Sequence, residues 1–163
     1  MSQIDLSTGD FINNVNELVR VLSDSNLETI SILTHPSPDP DALGSAYAIQ
    51  WWLNKRFGVS SSIYASGAVS HPQNKAIVNT LGINLKNMES FSEDSNKEEI
   101  ATSYIICTDT TENNLGVTID SPPLITFDHH RSDTGAMFKY ITGVGATSTI
   151  VWRLIRYTMA KDC

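Results

Sequence analysis

Three short apolar runs, at residues 29–34, 103–107 and 124–127, each meet Asp or His within two residues of their end. Runs of this length, flanked by turn formers, read as buried strands rather than helices. The first, Thr-Ile-Ser-Ile-Leu-Thr, runs straight into His35-Pro36-Ser37-Pro38-Asp39-Pro40-Asp41, where the prolines exclude helix until about Asp41. The second delivers Thr108-Asp109-Thr110, and the third delivers Asp128-His129-His130. A fold for this chain must therefore accommodate three strands that each end in polar, ionisable residues.

Helical periodicity fills the intervals. Phe11, Val15, Leu18, Val19 and Leu22 recur at helical spacing and predict an amphipathic helix over 10–22. A second helix is expected over 42–56, ending near Gly58, and a short one over 73–81, closed by Gly82. Trp51 and Trp52, among Tyr47, Ile49 and Leu53, are expected to crowd one core face. Residues 61–65 read as a short strand and 138–141 as an edge strand, with Pro122-Pro123 breaking the chain between elements. A last helix is expected from Gly145 to about Met159, with Ile150, Val151, Leu154 and Ile155 inward. Residues 1–9 read as a loose lead-in, and the polar stretch 90–99 as a surface loop or linker. Alternation of strands and helices predicts an α/β domain, with a mostly parallel sheet and helices on both faces. In such sheets ligands bind outside the carboxyl ends of the strands, where the three Asp/His clusters fall.

Composition narrows the function. At 163 residues and 40% hydrophobic, the chain is expected to form one domain with its own core. No apolar run is long enough to span a bilayer, and no charged-then-apolar signal opens the chain, so a cytoplasmic protein is expected. Cys107 and Cys163 fit neither a zinc pattern nor a disulfide framework, and Cys107 reads as a small buried hydrophobe. A net charge of −7, from 11 basic and 18 acidic residues, does not suit a protein that coats long DNA. If the substrate is an anionic phosphate, bound cations must supply the positive charge.

Taken singly, each cluster has an ordinary explanation. His35 could be a satisfied loop histidine, Asp39 and Asp41 turn formers or a helix cap, and Asp109 an Asx-turn residue. Asp128-His129-His130 is harder to dismiss, since adjacent histidines after an apolar strand have no packing role. Together the clusters offer three histidines and four carboxylates at one rim, a donor set suited to divalent metals. Asp39 and Asp41, two apart in an extended loop, can diverge to serve two ions. Three weaker signals lie outside these clusters. Asn74, in His71-Pro72-Gln73-Asn74, lies where a helix begins and is a weak candidate for substrate contact. Arg131 could meet a phosphate, and Gly145, in Gly143-Val144-Gly145-Ala146-Thr147-Ser148, opens a helix N-terminus that could receive an anion.

The motifs over residues 30–155 resemble those of the DHH phosphoesterase superfamily. That superfamily takes in the RecJ exonucleases, nanoRNases, cyclic-dinucleotide phosphodiesterases, manganese-dependent pyrophosphatases and exopolyphosphatases. Its first motif, His-x-x-Pro-Asp-x-Asp-Ala-x-Gly-Ser, matches His35 to Ser45, its second is Asp109, and its third is Asp128-His129-His130. The resemblance implies that His35 and Asp39 hold one ion, Asp41 and His129 a second, and Asp109 both. It places His130 beside the substrate phosphate and Asp128 behind it as an orienting partner. It further implies a two-metal hydrolase using Mn2+, with Mg2+ an alternative. The substrate would be a small nucleotide, short oligonucleotide or polyphosphate. The superfamily pattern continues with a further Asp well downstream and with a second, substrate-gripping domain. Only 33 residues follow His130, and Asp162 lacks the expected context, so the domain is expected to be truncated at its C-terminus. That expectation keeps two functions in play, a phosphoesterase and a non-catalytic or vestigial metal- or nucleotide-binding module. It also suggests self-association through a partly bare apolar face on the last helix.

Overall fold

The structure, a computed structural model, describes residues 9–24, 27, 29–88 and 104–160. The expected lead-in, apart from Gly9, lies outside the described residues, as do the polar stretch 90–99, Ser103, Asp162 and Cys163. Four α-helices and six strands are described. In chain order they are α1 (Gly9–Asp24), β1 (Thr29–Leu33), α2 (Pro40–Phe57), β2 (Ser60–Ala65), α3 (Pro72–Leu81) and β3 (Leu85–Asn87). Then follow β4 (Tyr104–Thr108), a 3-10 turn (Glu112–Asn114), β5 (Ile125–Asp128), β6 (Phe138–Ile141) and α4 (Thr147–Ala160).

The strands form one sheet in the order β3-β2-β1-β4-β5-β6, and every neighbouring pair is parallel. The sheet is thus wholly parallel where a mostly parallel one was expected. Strand β3, three residues at the far edge, was not anticipated, because Leu85-Lys86-Asn87 carries too little apolar pattern to signal a strand. From β1 the chain steps outward to β2 and β3, then returns to place β4 on the other side of β1. The strand order therefore reverses between β1 and β4, and the crevice above such a reversal is where open α/β sheets bind ligands.

Side-chain alternation sends Ile30, Ile32, Ile63, Ile106, Ile125, Phe127 and Tyr140 into one large core. Phe11, Val15, Leu18 and Leu22 of α1 join that core, with Leu43, Ile49, Trp52 and Leu53 of α2 and Ile150, Val151 and Leu154 of α4. Ile77 and Val78 of α3 pack against its border. Burying each such Leu, Ile or Val is worth about 1.5–3 kcal/mol. Leu33, Tyr64, Ile105 and Cys107 point to the second face, where Leu115 covers them with Val117 and Ile119. Among the described residues this second cover is the segment around the 3-10 turn rather than an α-helix.

Two expectations about packing are corrected. Trp52 is fully buried and its indole Nε1 donates to Thr158 Oγ1 at 2.9 Å, but Trp51 is 42% exposed. Consecutive helical residues point about 100° apart, and with Trp52 and Leu53 both turned to the core, Trp51 falls on the outer side of α2. The inward face of α4 is not bare: Ile150, Val151 and Leu154 are completely buried, and its exposed large apolar side chain is Trp152 on the outer side. Among the described residues no helix is long and apolar enough to cross a membrane.

Candidate metal centre

Each ionisable cluster lies at a strand's carboxyl end, and the backbone there is held by identifiable contacts. Beyond β1, Thr34 N donates to Tyr64 O at 3.0 Å and Ser37 N to Ser66 O at 2.9 Å, tying the proline loop to the end of β2. Asn74 Nδ2 of α3 donates to Pro38 O at 2.9 Å, so this side chain braces the loop from the other side. Asp39 then caps α2, its Oδ1 accepting from the amides of Asp41 and Ala42, both at 2.9 Å, with Pro40 at the first helical position. After β4, Asp109 adopts φ +58°, a left-handed conformation that Asp tolerates better than most residues. Its amide donates to Phe127 O at 2.8 Å, and this bend turns its carboxylate over the rim.

The five side chains His35, Asp39, Asp41, Asp109 and His129 meet above β1, β4 and β5. His35 Nε2 stands 3.6 Å from Asp109 Oδ2 and 3.9 Å from Asp39 Oδ1. His129 Nε2 stands 3.4 Å from Asp109 Oδ1 and 3.9 Å from Asp41 Oδ2. The two oxygens of the buried Asp109 thus face different histidines. Ligand atoms of His35, Asp39 and Asp109 all lie within 4.8 Å of one another, as do those of Asp109, His129 and His130.

Whether these residues suit a metal is decided by the histidine tautomers. His35 Nδ1 contacts Pro36 O at 2.9 Å, and His129 Nδ1 contacts Val144 O at 3.3 Å. A carbonyl can only accept, so each Nδ1 carries a proton and each ring turns its Nε2 toward the carboxylates. At 3.4–3.9 Å from carboxylate oxygen each Nε2 is at long range for a hydrogen bond. Donors so spaced could hold a cation between them, and a backbone contact to the other ring nitrogen is the usual support of a metal-bound histidine. The donor set, imidazole with carboxylate, fits a divalent transition ion.

Without a bound ion the carboxylates favour a proton on His35, which a divalent cation at Nε2 would displace. The neighbouring Asp109 carboxylate, helped by Asp39, holds His35 above the ordinary imidazole range despite its partial burial. For Asp109 burial works to raise the pKa, but His35, the Thr147 hydroxyl and His129 outweigh it and leave the carboxyl below its usual value. Cys107, one strand position from the rim, is pushed up by burial and is not a nucleophile.

The remaining predicted residues divide. Asp128 is 1% exposed, and its Oδ1 accepts from both the backbone amide and Nδ1 of His130, at 3.1 and 2.8 Å. His130 is thereby oriented with its ring outward, and its centroid lies 4.0 Å from that of His129. Arg131 is exposed beside it. Gly145 is exposed two residues ahead of α4, and a Cβ there would meet nothing within 4 Å, so packing gives no reason for glycine.

Two features escaped the reading of the sequence. Asp41 does act as a cap, but for a distant helix: its Oδ2 accepts from Thr147 N at 2.7 Å and its Oδ1 from Ser148 N at 2.9 Å. Thr147 lay within the run noted as an anion-receiving helix start; the anion it receives is the protein's own. Gly116, at φ +75°, packs its backbone so close that a Cβ would stand 3.1 Å from both Pro36 Cγ and Ser66 Oγ. No local pattern announces either contact, because both partners are far away in sequence.

Residues 29–162 match the model described as the DHH family, N-terminal domain. Over 135 residues the chain is 38% identical to an uncharacterized protein of Methanocaldococcus jannaschii. That match covers 80% of this chain and 26% of the relative, so the chain spans about a quarter of the relative's length.

Proposed function

This chain belongs to the DHH family, and from that premise we propose that its rim cluster is the two-cation centre of a manganese-dependent phosphoesterase. The family is one of metal-dependent hydrolases that act on phosphate-containing substrates. The bond cleaved is a phosphodiester or phosphoanhydride in a small nucleotide, a short oligonucleotide or a polyphosphate, in a cytoplasmic setting. The observation that carries this proposal is the division of Asp109, with Oδ2 toward His35 and Oδ1 toward His129.

In this proposal His35 and Asp39 would hold one ion, Asp41 and His129 the other, and Asp109 would serve both. Divalent ions so held would supply Lewis acidity and offset negative charge on the phosphate. His130, fixed through Nδ1 by the buried Asp128, keeps Nε2 at the open face for a phosphate oxygen. Arg131, exposed next to it, meets the remaining phosphate charge. Asn74 acts through the loop it braces rather than on the substrate. Gly145 takes no part in this proposal, because Asp41 already occupies the start of α4. Two imidazoles among the carboxylates favour Mn2+ over Mg2+, which prefers oxygen donors and keeps its water.

Calorimetric titration with Mn2+ and Mg2+, followed by hydrolysis of bis-p-nitrophenyl phosphate and a dinucleotide, tests the proposal. Saturable Mn2+ binding tighter than Mg2+ binding, with Mn2+-dependent turnover that Asp109→Asn lowers at least about tenfold, is the expected result. Binding without turnover of either phosphate ester points instead to a non-catalytic metal-binding module, and no Mn2+ binding at all removes the metal centre.

A further inference from the structure

We infer that Thr147 is the positioning residue that sets Asp109, His129 and Asp41 relative to one another. The inference rests on the metal-centre reading above and adds to it a residue outside the ligand set. Thr147 is completely buried at the first turn of α4. Its Oγ1 donates to Asp109 Oδ1 at 2.8 Å and accepts from the backbone amide of His129 at 3.2 Å. Its own amide donates to Asp41 Oδ2 at 2.7 Å. One residue therefore touches three side chains or backbones of the cluster, delivered by β4, by β5 and by the start of α2.

The direction of these bonds matters. A hydroxyl has a single proton. Because the His129 amide can only donate, the Thr147 hydroxyl must give its proton to Asp109. That fixes which face of Oδ1 remains open toward His129 Nε2, 3.4 Å away. The same amide bond anchors the backbone from which the His129 ring projects. Position 147 thus controls the distance and angle between the shared carboxylate and one imidazole, while His35 on the other side is held through Pro36 O.

A buried threonine could instead be retained for its methyl packing, and two substitutions separate the roles. Thr147→Val keeps the volume and removes the hydroxyl; Thr147→Ser keeps the hydroxyl and removes the methyl. Mn2+ affinity is read by calorimetry, thermal unfolding gives stability, and hydrogen exchange of the His129 amide is followed in metal-free protein. Thr147→Val is expected to weaken Mn2+ binding about ten- to hundredfold, the range for loss of a partner behind a metal ligand, and to speed exchange at His129. Thr147→Ser is expected to stay near wild type in both. Unchanged affinity and exchange in Thr147→Val, or equal losses in the two variants, overturns the inference. Should Thr147→Val fail to fold, Thr147→Ser against Thr147→Ala isolates the same hydroxyl with the methyl absent from both. A wild-type chain that binds no Mn2+ sinks the metal-centre reading, while the exchange arm still decides whether Thr147 orders His129.

Discussion

Asp109 brings together backbone strain, burial and charge in one side chain. A left-handed backbone, 4% exposure and a pKa held below the ordinary carboxylate range are each unusual for an Asp, and here they coincide. Such a conformation persists only where the surroundings hold it, and strained residues gather at functional sites. The backbone demand and the chemical demand can be separated by substitution. Asn tolerates the left-handed region at least as well as Asp, whereas a residue such as Ala pays the steric penalty between Cβ and carbonyl oxygen. Metal-free Asp109→Ala is therefore expected to be less stable than Asp109→Asn by about 1 kcal/mol, measured by urea unfolding; equal stabilities would mean that the φ of +58° carries no strain. Sequence alone placed Asp109 at the end of a strand but could not supply its φ, which depends on the bond from its amide to Phe127 of the neighbouring strand.

At the scale of elements, the rim is organised by α2 and α4, which run side by side with their N-termini at the cluster. Asp39 caps the first and Asp41, in the first turn of α2, caps the second, so two residues at one helix start fix where both helices begin. The distant ends are tied separately, by Trp52 Nε1 to Thr158 Oγ1 and by Arg56 to Thr158 O at 2.8 Å. Thr158→Val leaves a buried indole N–H without its acceptor, and a loss of about 1–3 kcal/mol is expected in denaturant unfolding. Mn2+ affinity should not change, because position 158 is three turns of helix from Thr147. Loss of affinity together with stability would show that the rim is held by helix packing as a whole rather than by its own contacts. The helices themselves were legible from periodicity and from Gly58 and Gly82, both in the left-handed cap conformation. Asp41's attachment to α4 was not, since it joins residues 106 positions apart.

The molecule as a whole is an acidic α/β domain, net −7, that gathers carboxylates from three strand ends above the point where strand order reverses. Its parallel sheet and the meeting of His35, Asp39, Asp41, Asp109 and His129 follow from apolar runs that each end in ionisable residues, and this pattern can be read directly. What holds the cluster in place cannot: Thr147, Val144 and Gly116 act through a hydroxyl, a carbonyl and the absence of a side chain, and none of these has a sequence signature. Concentrated like charge is tolerated in such a fold only with counter-charge, which His35 supplies in part and divalent cations would complete. The most direct test is anomalous diffraction at the manganese edge from crystals of this chain soaked in Mn2+. Two peaks are predicted, one beside His35 and Asp39 and one beside Asp41 and His129, with Asp109 contacting both; a single peak, or peaks away from Asp109, would contradict a two-cation centre.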